Sequence, residues 1–483
     1  MGAQLSRLQF PQRRSGPVQE SQRRPQQEAR VRTDTTIVAP ATPAGEGGLA
    51  VIRLSGPDAE KVLCQLFRPA HPPCPFESHR FYYGHIVDKA GMVDEVMAVL
   101  MRAPASFTRE DVAEIHCHGG PVIVRRIVDL CLSAGAVMAA PGEFTLRAFL
   151  NGRIDLAQAE AVAGLIHARS ESARRIALDQ LNGELSQRLR AQRSCLVELL
   201  AHIETHIDFV EEDIEFPDAD IWLQRIADLQ SELAGLRSSY STGRLLHDGL
   251  RVLILGKPNV GKSSLLNSLL GQARAIVSDI PGTTRDTIEE HLVFHGLPVQ
   301  LIDTAGIRQT DDAIELAGIE RARAKIDSAD LIFFIIDGSR PCDADDQLVA
   351  DMVPEARTLL VVNKNDLGSA PLPLWADRFR RVTISARLGT GLDDLQASLA
   401  GLLANNQGDS GENLVLYERR HFDALGRSLD SLGRAVQGLK QGLSPEFIAL
   451  DIRGALDALG EVTGEATPDE VLEQIFSQFC IGK

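Results

Sequence analysis

The stretch Gly256-Lys-Pro-Asn-Val-Gly-Lys-Ser-Ser264 follows directly on the apolar run "RVLIL" and opens into "LLNSLL". A short run of branched apolar residues reads as a buried strand, and the segment from Ser263 onward carries helical spacing. The two glycines therefore sit at a strand-to-helix turn. The same alternation continues downstream, where "VQLID" (299–303), "LIFFIID" (331–337), "LLVVN" (359–363) and "RVTIS" (381–385) are separated by helical stretches. Strands buried on both faces and alternating with helices specify a doubly wound α/β layer over 251–400.

Gly256-x4-Gly261-Lys262-Ser263 is a phosphate-binding loop in the context that gives the string meaning. Its glycines let backbone NH groups wrap phosphates, and the helix start adds a positive dipole. Lys262 is expected on the β- and γ-phosphates and Ser263 on magnesium, with Asn259, Val260, Gly261 and Ser264 completing the loop. Three more motifs follow in order. "PGTTRD" (281–286) offers Thr284 as a magnesium-binding switch threonine. "DTAG" offers Asp303 to a magnesium-bound water and the Gly306 NH to a γ-phosphate, with Thr304 and Ala305 between them. "NKND" ends a strand with Asn363, Lys364 and Asp366. Asp366 can accept from the ring NH and exocyclic amine of guanine, whereas adenine would leave that carboxylate unpaired. "SAR" (Ser385, Ala386, Arg387) directs the Ala386 NH towards the guanine carbonyl. Together these specify a GTP-binding domain.

Ile307 occupies the place where Ras-type enzymes orient water with a glutamine, so another group must act. Asn259 and the segment Ser278, Asp279, Ile280, Pro281, Gly282, Thr283 supply oxygens for a monovalent cation beside the phosphates. Glu315 is an acid available to position water, although exposed acids are usually just solvated.

Around this block the periodicity changes. Residues 34–150 read as a small α+β domain, with strands at 37–39, 49–54, 81–87, 95–101 and 112–118 and a helix from Pro121. Leu178, Leu181, Leu185, Leu189, Leu196, Leu199, Ile203 and Ile207 trace one face of a single long helix, and Trp222, Ile226, Leu229, Leu233 and Leu236 a second. Beyond a polar linker at 405–413, Phe422, Leu425, Leu429, Leu432, Val436 and Leu439 resume that spacing. A last helix is expected to open on a capping box of Thr467 and Glu470, with Pro468 at its first position. The simplest architecture is one helical domain split in sequence (151–248 and 405–483), with the α/β domain (249–404) inserted into it.

Composition narrows the function. A net charge of −16 argues against a nucleic-acid binder held by a broad basic field, so an RNA substrate would need a partner or a local patch. The seven cysteines, at 64, 74, 117, 131, 195, 342 and 480, include no C-x-x-C pair and fit a reducing compartment. No apolar run approaches the ~18 residues of a membrane span. Residues 1–33 hold seven Arg, no Lys and two Glu, which predicts a disordered tail. Two other readings of that tail are a myristoylation signal in "MGAQLS" and a transit peptide, which would move the chain from the cytoplasm to the mitochondrion. "HCHGG" (116–120) lacks a nearby third ligand and is expected to be a strand end rather than a zinc site. The terminal "CIGK" is a poor prenylation box, with Gly in its third place and Lys in its last.

The chain resembles the MnmE (TrmE) family of tRNA-modification GTPases from about residue 34 to its end. The pieces that carry the resemblance are "DTTIVAPATPAGEGGLAVIRLSG", "APASFTREDVAEIHCHGGPVIV", "PGEFTLRAFLNGRIDLAQAE", "PGTTRD" and "FSQFCIGK". The resemblance implies an N-terminal tetrahydrofolate-binding domain that dimerises, a split helical domain and an inserted Ras-like G domain. It implies potassium-dependent GTP hydrolysis, a heterotetramer with an FAD-dependent MnmG-type partner, and a tRNA substrate. The product would be an aminomethyl or carboxymethylaminomethyl group on a wobble uridine, with its methylene carbon from a one-carbon tetrahydrofolate (5,10-methylene or 5-formyl form). By position, the folate contacts fall on Arg53, Glu114, Arg153 and Lys483, and the potassium site on Asn259, Ser278, Ile280 and Thr283. Glu315 falls at the water-orienting acid, and Cys480 stands as a nucleophile or a thiol acid. Two other classes compete: a switch or ribosome-assembly GTPase without substrate chemistry, and a lipidated signalling GTPase.

Overall fold

The computed structural model describes residues 34–71, 76–208, 219–272, 290–294, 297–302, 323, 325–404 and 414–482. Three bodies follow from the sequence pattern: an N-terminal α+β domain, a helical domain and a G domain of mixed α/β build.

The N-terminal domain comprises β1 (Ile37–Pro40), β2 (Gly47–Ser55), α1 (Ala59–Leu66), β3 (Phe67–Pro69), β4 (Phe81–Asp88), β5 (Gly91–Met101), β6 (Val112–Gly119), α2 (Pro121–Ser133), β7 (Val137–Met138) and α3 (Glu143–Leu150). Its strands form one sheet in the order β3-β4-β5-β6-β2-β1-β7, antiparallel except where β7 joins β1. In β2 the residues alternate: Ile52 and Leu54 are buried beneath α1 and α2 with Val62, Leu63, Ile127 and Cys131. The side-chain period of two sends Arg53 to the opposite face. Buried Arg147 on α3 bonds Glu143 (2.8 Å), Glu110 (3.2 Å) and the Thr35 carbonyl (2.8 Å), fastening the start of the described chain to the domain.

The helical domain contains α4 (Leu156–His167), α5 (Glu171–Leu181), α6 (Glu184–Asp208), α7 (Ala219–Ser238) and α8 (Tyr240–His247). Where the leucine spacing predicted one long helix from 178 to 207, the chain breaks at Gly183, which adopts φ +89°. The break lets α5 turn back on α4, where Gln180 Nε2 donates to the Ala157 carbonyl (2.7 Å) and Gln158 Nε2 to that of Leu181 (2.9 Å).

The G domain holds β8 (Leu250–Leu255), α9 (Lys262–Gln272), β9 (Glu290–Phe294), β10 (Leu297–Ile302), β11 (Leu331–Asp337), α10 (Ala344–Met352), β12 (Thr358–Asn363), β13 (Arg380–Thr383) and α11 (Leu392–Ala404). Among the described residues the strand order is β13-β12-β11-β8-β10-β9, all parallel but for β9. The expected strands are present, and β8 lies mid-sheet with its C-terminal end leading into the phosphate-binding loop.

The chain then returns to the helices as α12 (Arg419–Gln441), α13 (Pro445–Thr463) and α14 (Asp469–Ser477). One apolar core draws Leu189, Leu196, Ile226 and Leu233 from before the G domain and Leu425, Leu432, Ile452 and Leu459 from after it. The capping box expected at Thr467 does not form. The Thr467 hydroxyl donates to the Glu461 carbonyl (3.3 Å), Pro468 is extended at the cap position, and the helix begins at Asp469. Asp469 and Glu470 still complement the helix dipole in its first turn.

Candidate functional site

Two clusters carry chemistry. The first is the loop between β8 and α9. Gly256 has φ +149°, and a Cβ there would lie 2.3 Å from the Ile335 carbonyl, so only glycine lets the loop pass over β11. Gly261 has φ +101°, and a Cβ there would lie 2.2 Å from Asn363 Nδ2. Asn259 adopts the left-handed conformation at φ +64°, which asparagine tolerates better than most residues. Lys262 Nζ donates to the carbonyls of Gly256 (2.8 Å) and Lys257 (2.7 Å), and burial holds its pKa below the usual lysine value. A poorly solvated ammonium inside a loop of glycine turns suits an anion such as a phosphate. Ser263 and Ser264 are exposed at the start of α9, and Val260 is buried.

Asn363 knits the loop to the "NKND" and "SAR" segments. Its Nδ2 donates to the Val260 carbonyl (2.8 Å), and its Oδ1 accepts from the Ala386 NH (2.9 Å). The sequence expectation directs that NH towards a guanine carbonyl; here Asn363 Oδ1 engages it, where the 385–387 turn packs against the end of β12. Ser385 Oγ donates to Asp366 Oδ1 (2.6 Å), orienting the exposed carboxylate. Lys364, in the left-handed region at φ +66°, pairs with Asp337 (2.7 Å). Burial raises the Asp337 pKa, but the Lys364 ammonium and the Ser339 donors outweigh it and leave the carboxyl below its ordinary range. Arg387 is exposed. Asp337 was not singled out from sequence; its position at the end of β11, level with Asn363 in the ladder, was the available signal. Ser278, Asp279, Ile280, Pro281, Gly282, Thr283, Thr284, Asp303, Thr304, Ala305, Gly306 and Glu315 lie outside the described residues.

The second cluster joins residues from far apart in the sequence. Arg53 and Glu114 are register partners on β2 and β6, and Arg53 Nε meets Glu114 Oε1 at 2.9 Å. Glu114 Oε2 contacts His116 Nε2 (3.2 Å), whose ring meets Phe81 edge-on at 5.0 Å. His118 instead pairs with Asp94 (2.7 Å), so the two histidines of "HCHGG" serve different carboxylates. Arg53 Nη1 reaches the Gly482 carbonyl at 3.5 Å. The Phe107 ring lies under both Arg53 (5.9 Å) and Arg153 (4.7 Å), and Arg153 Nη1 donates to the Phe107 carbonyl (3.1 Å). Phe107 had no sequence signal beyond its neighbourhood.

The last described residues are held against this cluster. Phe476 and Phe479 are buried with Leu156 and Ala159, and the Gly142 NH donates to the Cys480 carbonyl (3.5 Å). Gly482 is buried at φ +93°, where a Cβ would lie 2.0 Å from the Pro40 carbonyl. The Cys480 side chain is exposed, and Lys483 lies outside the described residues.

Stretches of this chain are similar to known proteins. The G domain of the T. maritima FeoB iron transporter is similar to 32% of this chain, at 22% identity and a TM-score of 0.24, with 98% of that domain covered. A family profile described as the N-terminus of the GTP-binding protein TrmE matches residues 36–153, and one described as the MnmE helical domain matches 156–480. A tRNA modification GTPase MnmE from Syntrophotalea carbinolica is 52% identical over 453 residues, covering 93% of this chain and 99% of that protein. The counterpart from Geobacter metallireducens is 48% identical over 455 residues, with 93% and 99% covered. The chain belongs to the MnmE family of tRNA modification GTPases. It is a GTPase. No described helix is long and apolar enough to cross a membrane.

Proposed function

We propose that this GTPase acts on tRNA, adding an aminomethyl or carboxymethylaminomethyl group to the wobble uridine together with an FAD-dependent MnmG-type partner. The observation that carries this reading is the convergence of Arg53, Glu114, Arg153 and Gly482 around Phe107 in a chain of this family. The residues suit a one-carbon tetrahydrofolate. An aromatic wall and a carboxylate complement a pterin, and the Arg153 guanidinium, with no carboxylate partner among the described residues, complements a glutamate tail. The folate supplies a methylene carbon. Arg53 and Glu114 orient its ring system, Arg153 and Lys483 hold its tail, and Cys480 stands beside the site as a nucleophile or thiol acid. The domain limits we propose are 34–150, 151–248, 249–404 and 405–483, with 1–33 a tail.

In the G domain, Lys262 and the loop NH groups hold the phosphates, Ser263 and Thr284 hold magnesium, and Asp366 selects guanine. Asn259 with Ser278, Ile280 and Thr283 holds potassium, and Glu315 orients the attacking water. Three experiments test the reading. Titration of 5-formyltetrahydrofolate into the purified protein should show saturable binding, and its absence would leave a GTPase without substrate chemistry. Nucleoside analysis of tRNA from a strain lacking the protein should show loss of the wobble modification. Lys262→Ala and Cys480→Ser should both fail to restore it. GTP hydrolysis should run faster in potassium than in sodium, and equal rates would overturn the cation site.

A further inference from the structure

Arg109 holds a backbone conformation that few non-glycine residues adopt, at φ +60°. Such conformations cost L-residues energy and concentrate at ligand sites. The turn carries Arg109 Nη1 to the Asn151 carbonyl (3.0 Å), beside Gly152, and so towards Arg153. Its sequence neighbour Glu110 gives no compensation there, because Glu110 points inward to Arg147 and Ser55. Among the described residues, neither Arg109 nor Arg153 has a carboxylate within ion-pair distance. Burial and the nearby Arg109 charge both lower the Arg153 pKa. Three guanidinium groups, Arg53, Arg109 and Arg153, thus gather at the Phe107 loop with one carboxylate, Glu114, among them. In a chain of net charge −16, that local excess of positive charge marks an anion site.

We propose that Arg109 and Arg153 form a two-guanidinium clamp for successive carboxylates, so that the site prefers a tetrahydrofolate with a γ-linked polyglutamate tail over the monoglutamate. The inference rests on the folate reading of this cluster and deepens it. Arg53, already paired with Glu114, sits at the ring end, whereas Arg109 and Arg153 are exposed on the turns at 107–109 and 151–153. The monoglutamate offers only the α- and γ-carboxylates of one residue, whereas each further γ-linked residue adds an α-carboxylate along the tail and brings more charge within reach of both groups. Charge-assisted, forked hydrogen bonds make the second contact worth about tenfold in affinity at low salt.

The test compares the affinities of 5-formyltetrahydrofolate monoglutamate and triglutamate for the full chain and for Arg109→Gly. Glycine suits the left-handed turn, so the variant keeps its fold. Wild type should bind the triglutamate about tenfold more tightly, with the ratio shrinking at high salt. Arg109→Gly should bring the ratio close to one. Equal affinities in wild type, or a ratio unchanged in Arg109→Gly, would overturn the clamp while leaving the folate site standing. If neither compound binds wild type, the folate reading and the clamp fall together.

Discussion

Asn363 Nδ2 and the Val260 carbonyl are joined by a 2.8 Å hydrogen bond between the end of β12 and the phosphate-binding loop. The same side chain accepts from the buried Ala386 NH, so one amide fixes three loops relative to each other. Asn363→Ala leaves a buried donor and a buried acceptor unpaired, each costing about 1–3 kcal/mol. The expected outcome is a clear fall in thermal stability and at least about tenfold weaker GTP binding, read by calorimetry. Asn363→Asp should also fail, because a carboxylate cannot donate to the Val260 carbonyl.

Arg244 on α8 meets Asp330 at 2.6 Å, and the other Asp330 oxygen accepts from the Arg251 NH (3.0 Å) at the start of β8. Leu245 on the same helix is buried in the G-domain core, while Gly243 lies against the Leu416 carbonyl of the returning chain. A double-mutant cycle with Arg244→Ala and Asp330→Ala should give a coupling energy of about 0.5–2 kcal/mol in thermal unfolding. A coupling near zero would show that the pair does not fasten α8 to the sheet.

Glu160 on α4 binds Arg420 (2.7 Å) and His421 (2.8 Å) at the start of α12, tying the two helical segments together. Burial alone would raise its pKa, but the His421 and Arg420 charges and hydrogen bonds hold it at about 2, from an ordinary 4.5. A depressed folded-state pKa contributes stability above the unfolded value and loses it as pH falls from about 4.5 towards 2. Neighbouring Glu418 acts in the opposite sense, since burial and Glu160 push its carboxyl up. Glu160→Gln should lower stability at pH 7 by on the order of 3 kcal/mol and flatten the acid limb of the Tm profile. An unchanged acid limb would remove Glu160 as its source.

Gly482→Ala would place a methyl group 2.0 Å from the Pro40 carbonyl, a backbone atom that cannot swing aside. Its φ of +93° adds a strain of about 1–2 kcal/mol. The variant should bind 5-formyltetrahydrofolate at least about tenfold more weakly, because the Gly482 carbonyl must leave Arg53. Undiminished binding would separate the terminal segment from the site.

The sequence made the G domain legible because its motifs sit at strand ends, where residue type and spacing are both constrained. The period of two in β2 also accounts for Arg53 facing away from the core, since Ile52 and Leu54 on either side are apolar. It could not show the break at Gly183, because leucines at 178, 181 and 185 keep helical spacing straight through it. The Thr467 cap failed for a related reason: a local motif competed with the tertiary acceptor on Glu461 and lost. The short strands β3 and β7, and helices α1 and α3, were too brief for periodicity to mark. Nor does "PASFTRED" reveal that Phe107 underlies two arginines; only the chain path brings Arg53 and Arg153 to it.

The contact between Arg53 and Gly482 spans 429 positions. Contacts of such sequence separation are slow to establish, since a long loop must close before they gain anything. A ligand at this seam therefore recognises only molecules whose distant segments have already met, and by mass action it stabilises those alone. A tetrahydrofolate bound there, as proposed above, would act on this protein as a folding aid, protecting finished molecules from unfolding and doing nothing for those still open.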